Sequence, residues 1–101
     1  GVNKNSAASN YDVHSPGEDA STAAGDWHAT RIIVEGNHVE HWLNGVKVVE
    51  YEKGSDDWAE RVASSKWADM ESSGSTSTGH IAFQGDHGAV WFRNLRIRSL
   101  D

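Results

Sequence analysis

A chain of 101 residues has room for one domain or part of one, which excludes a multi-domain machine. Hydrophobic residues make up 37% and charged residues 24%, enough apolar content for a packed core and too much for a solvated tail. Nine Lys and Arg against fifteen Asp and Glu give a net charge of -6, which sets the chain against nucleic acid and anionic membranes as partners.

The lack of cysteine removes disulfide scaffolds, thiolate zinc sites and cysteine nucleophiles together. No apolar run approaches the ~20 residues of a membrane-spanning helix, and no basic-then-apolar start resembles a signal peptide. Gly1 rather than Met stands first, which reads as a processed product or a fragment, with any export signal outside the sequence.

Residues 1–26, rich in Gly, Ala, Ser, Asn and Asp and holding the single proline Pro16, read as an irregular N-terminal segment. They offer little with which to cover an apolar sheet. Residues 27–51 turn β-branched and aromatic, interrupted at Gly36-Asn37 and at Asn44-Gly45, and so predict a three-stranded meander. With two-residue loops Val34 pairs with Val39 and Leu43 with Val46. Uninterrupted alternation then gathers Thr30, Ile32, Val34, Val39, His41, Leu43, Val46 and Val48 on a core face. Arg31, Ile33, His38, Glu40, Trp42, Lys47, Val49 and Tyr51 fall on a mixed face, suited to a polar ligand or to plain solvation.

Residues 56–70 change period, with Ala59, Val62, Ala63, Trp67 and Met70 on one helical face and Asp57 and Glu60 resembling a capping box. Residues 71–78 read as a flexible polar loop. Two further strands are expected at about 80–84 and 89–98, joined through Gly85-Asp86-His87-Gly88. The class is therefore all-β, antiparallel, with one short helix in a connection, and the strand count suits part of a β-sandwich.

Asp86-His87 lies in a glycine-flanked loop, where a carboxylate can orient an imidazole as general base or metal ligand, or where the two residues are simply a turn. His38 and His41 are three apart on a strand, face opposite sides, and do not make a metal pair. His41 reads as a hydrogen-bonded core histidine. Trp42, Tyr51 and Trp91 are aromatic faces on which a sugar can stack, or core.

In order along residues 25–98 come Gly25-Asp26-Trp27-His28, His41-Trp42-Leu43-Asn44-Gly45, Ser65-Lys66-Trp67, Gly79-His80-Ile81-Ala82-Phe83-Gln84, Asp86-His87-Gly88 and Trp91-Phe92-Arg93-Asn94-Leu95-Arg96-Ile97. This ordered set resembles the 3-keto-disaccharide hydrolase domain family, and Tyr11 and Pro16 extend the likeness toward the N-terminus. The chain departs from the family pattern where Gly85 separates Gln84 from Asp86 and where His28 replaces an asparagine. The resemblance implies a concanavalin A-like antiparallel jelly-roll β-sandwich, of which residues 1–101 form the C-terminal portion. It implies a bacterial, periplasmic or secreted hydrolase or lyase acting on a glycoside or oligosaccharide, or alternatively a non-catalytic carbohydrate-binding module. Asp86, His87 and Arg93 are then the catalytic candidates, and Tyr11, Trp42 and Gln84 the substrate-binding ones. No cofactor is certain, a divalent metal is an option, and association with the missing half-domain or with a second copy is expected.

Overall fold

Two tight turns and one irregularity determine the sheet. The computed structural model describes residues 2–5, 7–11, 13–21, 25–68, 81–83 and 89–100. Among them β1 (Thr30–Glu35), β2 (His38–Leu43) and β3 (Val46–Glu52) form an antiparallel sheet in the order β1-β2-β3, followed by helix α1 (Asp56–Ala63). Asn44 and Gly45 both take positive φ, 51° and 83°, as a type I′ hairpin turn requires. At Gly36-Asn37 only Gly36 does, with φ 62°, which suits a turn with glycine first. Val34 pairs with Val39 and Leu43 with Val46, as the turn lengths predict.

The alternation expected for β3 fails beyond Lys47. Trp42 pairs with Lys47 but His41 pairs with Val49, so Val48 is an extra residue in the ladder. In such a bulge two residues oppose one and neighbouring side chains share a side. Val48 and Val49 are accordingly both buried, beside Leu43. Every residue after the bulge changes face relative to simple alternation. Val49 and Tyr51 leave the mixed face, and Glu50 and Glu52 take their places beside Glu40 and His38.

The N-terminal segment covers more of the sheet than its composition suggests. Ala8, Ala20, Val46 and Tyr51 pack against the Leu43, Val48 and Val49 cluster, and Val13 and His14 are buried. Backbone polarity supplies much of the grip: the Gly17 amide donates to the Val48 carbonyl at 2.6 Å, at the bulge. Cover stops short of β1, where Ile32 is 67% exposed.

The helix ends seven residues earlier than its apolar period predicts. Its N-cap is Ser55, not Asp57, and the Ser55 hydroxyl accepts the Trp58 amide at 3.1 Å. The Ser64 amide reaches back to the Glu60 and Val62 carbonyls, and the Ser65 hydroxyl donates to the Val62 carbonyl at 2.7 Å. Adjacent serines thus compete for the helix's own backbone groups and close it. Arg61 and Asp57 pair at 2.9 Å along the exposed face. No described helix is long and apolar enough to cross a membrane.

Residues 81–83 and 89–100 run without strand pairing, whereas two strands were expected there; Gly85-Asp86-His87-Gly88 and the loop 71–78 lie outside the described residues. Phe83 and Phe92 still meet across the gap, with ring centroids 5.0 Å apart. A hairpin alone is marginal in water, and this pair has no packed face to hold it, since Trp91 is 79% and Ile97 83% exposed.

Asn44 does more than form a turn. Its Oδ1 accepts from the Ala29 amide and its Nδ2 donates to the Ala20 carbonyl, both at 2.8 Å. Asn44→Gly keeps the backbone geometry and loses both bonds, so urea unfolding should show a loss of about 1–3 kcal/mol. Asn44→Ala should lose about 1 kcal/mol more, because alanine resists positive φ.

Candidate functional site

The register lays out the mixed face as three rows. Glu35, His38 and Glu52 form one, Ile33, Glu40 and Glu50 the next, and Arg31, Trp42 and Lys47 the third. His38 is the centre of the charged part. Its Nδ1 lies 2.7 Å from Glu52 Oε1, and its Nε2 lies 2.9 Å from Glu40 Oε2 and 3.1 Å from Glu50 Oε2. Hydrogen bonds to Glu40 and Glu52 hold the His38 pKa above the histidine range. The Glu40 carboxyl is lowered in turn, first by His38 and then by the Trp42 indole, which donates to Glu40 Oε1 at 2.8 Å. Lys47 Nζ completes the group, 3.2 Å from Glu50 Oε2.

Trp42 carries the apolar part of the same face. The Arg31 guanidinium lies over its ring at 4.8 Å, and the two line a shallow depression of 260 Å³ with Ala29, Thr30 and Gly45. An aromatic face bordered by a guanidinium and carboxylates can stack on a sugar ring while bonding its hydroxyls.

The opposite face holds a second cluster. The His41 Nδ1 donates to the Ala8 carbonyl at 2.8 Å, which leaves Nε2 to accept from the Tyr51 hydroxyl at 3.4 Å. His41 is thus the hydrogen-bonded inner-face histidine expected of it. His14 stacks on the Tyr51 ring at 4.6 Å, and the Asn10 amide meets its Nδ1 at 3.0 Å. His14 Nε2 is buried with no hydrogen-bond partner, 3.8 Å from Asp57 Oδ2. Burial also raises the Tyr51 pKa. Tyr51, expected among the sugar platforms of the mixed face, is instead a packing surface for His14, because the bulge turns it inward.

The remaining candidates are dispersed. Tyr11 lies on the N-terminal segment; the Trp67 indole donates to its carbonyl at 2.9 Å and Lys66 Nζ lies 4.4 Å from its ring. That segment packs on the inner face, away from Trp42. Arg93 lies with its guanidinium 4.0 Å over the Trp27 ring. Gln84, Asp86 and His87 lie outside the described residues. The rejected His38 and His41 pair is indeed on opposite faces, but sequence reasoning missed Glu50 and Glu52 as partners of His38. Period two already unites His38 with Glu40, and only the bulge adds the other two.

Against this geometry stand the likenesses to known proteins. The family model of the 3-keto-alpha-glucoside-1,2-lyase-like domain matches residues 1–98. The chain belongs to this family. A 3-keto-disaccharide hydrolase from Bacteroides thetaiotaomicron is 30% identical over 110 residues, covering 98% of this chain and 38% of the relative. A crystal structure from Parabacteroides distasonis, of a protein assigned as a glycosyl hydrolase, superposes with a TM-score of 0.60 at 33% identity. That match covers 63% of this chain and 30% of the other. The chain therefore spans well under half the length of either relative.

The inner cluster makes a pH prediction. Burial, with Arg61 adding repulsion, lowers the His14 pKa, while the weaker pull of Asp57 opposes them. With a lowered folded-state value the unfolded chain binds the proton first. The His14 contribution is complete above the ordinary 6.5 and is lost as the pH falls through the folded value. His38, raised by its carboxylates, works with the opposite sign, so the informative quantity is a difference between variants. Urea unfolding from about pH 7 to about pH 5 should show the natural protein losing stability relative to His14→Phe, which keeps the stack without a titrating group.

Proposed function

We propose that this chain is part of a carbohydrate-active domain that cleaves the glycosidic bond of sugars oxidised at the 3-position. The family match over residues 1–98 carries the reading. A 3-keto group acidifies the neighbouring C2 hydrogen. A base removes that proton, the electron pair moves toward the ketone oxygen, the C1–O bond breaks in a following elimination, and the leaving oxygen takes a proton; water then adds to the unsaturated sugar. His87, oriented by Asp86, is the base by resemblance to the family, and Arg93 or a divalent cation stabilises the enolate oxygen. Trp42 is the sugar platform, supported by its place on an open polar face beside Arg31, with Gln84 as a further substrate contact by resemblance to the family. The substrate of this chemistry is a glycoside or oligosaccharide in the periplasm or outside the cell.

With a 3-keto-glucoside as substrate, His87→Ala should lower turnover by about 10²-fold or more, as loss of a general base does. Trp42→Ala should chiefly raise KM. The rival reading, a non-catalytic carbohydrate-binding module, is favoured by the same aromatic face; it predicts glycan binding that Trp42→Ala abolishes and no product from the natural protein.

We further infer that the sheet is one piece of a concanavalin A-like jelly roll. The support is the uncovered apolar surface: Ile32 and Val34 on β1 and Ile81, Phe83, Trp91 and Ile97 beyond the helix are all exposed. Patches above ~300–600 Å² normally find a partner. By itself the chain should bind hydrophobic dye and self-associate in sedimentation; a monomer with one sharp unfolding transition would contradict the partial-domain reading.

A further inference from the structure

We propose that His38, Glu40 and Glu50 form a binding site for a first-row divalent cation such as Zn²⁺ or Mn²⁺, with Glu52 orienting the histidine. One atom from each of the three lies within 4.8 Å of the others. Two of the three spacings are those of ligands around one small ion. Metal–ligand bonds of ~2.0–2.1 Å place neighbouring ligand atoms about 2.9–3.4 Å apart in octahedral or tetrahedral geometry. His38 Nε2 is 2.9 Å from Glu40 Oε2 and 3.1 Å from Glu50 Oε2, so two edges of the polyhedron are already in place.

The groups behind these atoms are arranged as a metal site needs. A ligating histidine usually donates its other ring N–H to a carboxylate, which fixes tautomer and ring orientation. Glu52 Oε1 does so at Nδ1, 2.7 Å away, and leaves Nε2 directed at Glu40 and Glu50. Glu40 is held in the same manner, because the Trp42 indole binds Oε1 and leaves Oε2 toward the site. An imidazole with two carboxylates favours a transition-metal ion over Ca²⁺, which takes oxygen ligands alone. Three protein ligands at a partly exposed sheet face leave further coordination positions to water. Lys47 Nζ, 3.2 Å from Glu50 Oε2, is the resident cation that an incoming ion displaces. The inference stands on these residues and does not depend on the glycoside-cleaving reading.

Titration calorimetry of the whole chain with ZnCl₂ at about pH 8, the ion displacing the proton that His38 Nε2 shares with Glu40, should show saturable binding of one equivalent. Co²⁺ should give visible absorption bands at the same stoichiometry. His38→Ala should abolish both signals, and Glu52→Gln should weaken binding by ~10–100-fold. Lys47→Met should tighten it by removing the competing charge, a gain that a merely structural role for the cluster does not produce. Should His38→Ala fail to fold by circular dichroism, the opposite signs of Glu52→Gln and Lys47→Met supply the same test. No saturable binding up to millimolar metal, or binding that none of these substitutions alters, would overturn the proposal, and neither result would bear on glycoside cleavage.

Discussion

One extra residue in β3 sets both faces of the sheet. A regular ladder would turn Tyr51 out and Glu50 and Glu52 in, at the desolvation cost of two carboxylates on the packed face. The bulge at Val48 reverses this, putting Val48, Val49 and Tyr51 inside and both glutamates outside. Its carbonyl, freed from the ladder, accepts the Gly17 amide. The core, the carboxylate cluster around His38 and the anchoring of the N-terminal segment thus share one cause.

The inner face is held by polar contacts set into a small apolar cluster. His41, Tyr51 and Asn44 each reach from the sheet to the segment before it, and their bonds fix where that segment crosses. Among the described residues five buried aliphatic side chains, Val13, Val39, Leu43, Val48 and Val49, contribute roughly 1.5–3 kcal/mol each, a modest sum for a chain of this size. Directional bonds therefore carry an unusual share of the positional information. The outer face divides differently, into an aromatic and cationic half at Trp42 and Arg31 and an acidic half at His38, joined by the hydrogen bond from the Trp42 indole to Glu40.

What the sequence makes legible is what local chemistry dictates. Asn44-Gly45 and Gly36-Asn37 specify tight turns, and tight turns specify register up to Lys47. The family likeness is likewise readable from motif order along the chain. The bulge is not, because Val-Lys-Val-Val alternates plausibly in either frame and only the packing of Val48 and Val49 together decides between them. The same blindness hid the carboxylates that meet His38. The helix shows a different limit: Trp67 keeps the apolar period, yet Ser64 and Ser65 take the backbone groups that a longer helix needs. His14 carried no signal at all, since its neighbours in sequence are small and polar and its environment is built from β3 and α1.

The short turns also impose an order of assembly. Contacts within the meander join residues close in sequence, so closing them costs little chain entropy, and hairpins of this kind form in about 1–10 μs. The contacts that dock the N-terminal segment span 24 residues from Ala20 to Asn44 and 33 from Ala8 to His41. They have no surface to land on until β2 and β3 are paired. The meander is thus the template and the preceding segment its late-arriving cover, even though ribosomal synthesis delivers that segment first.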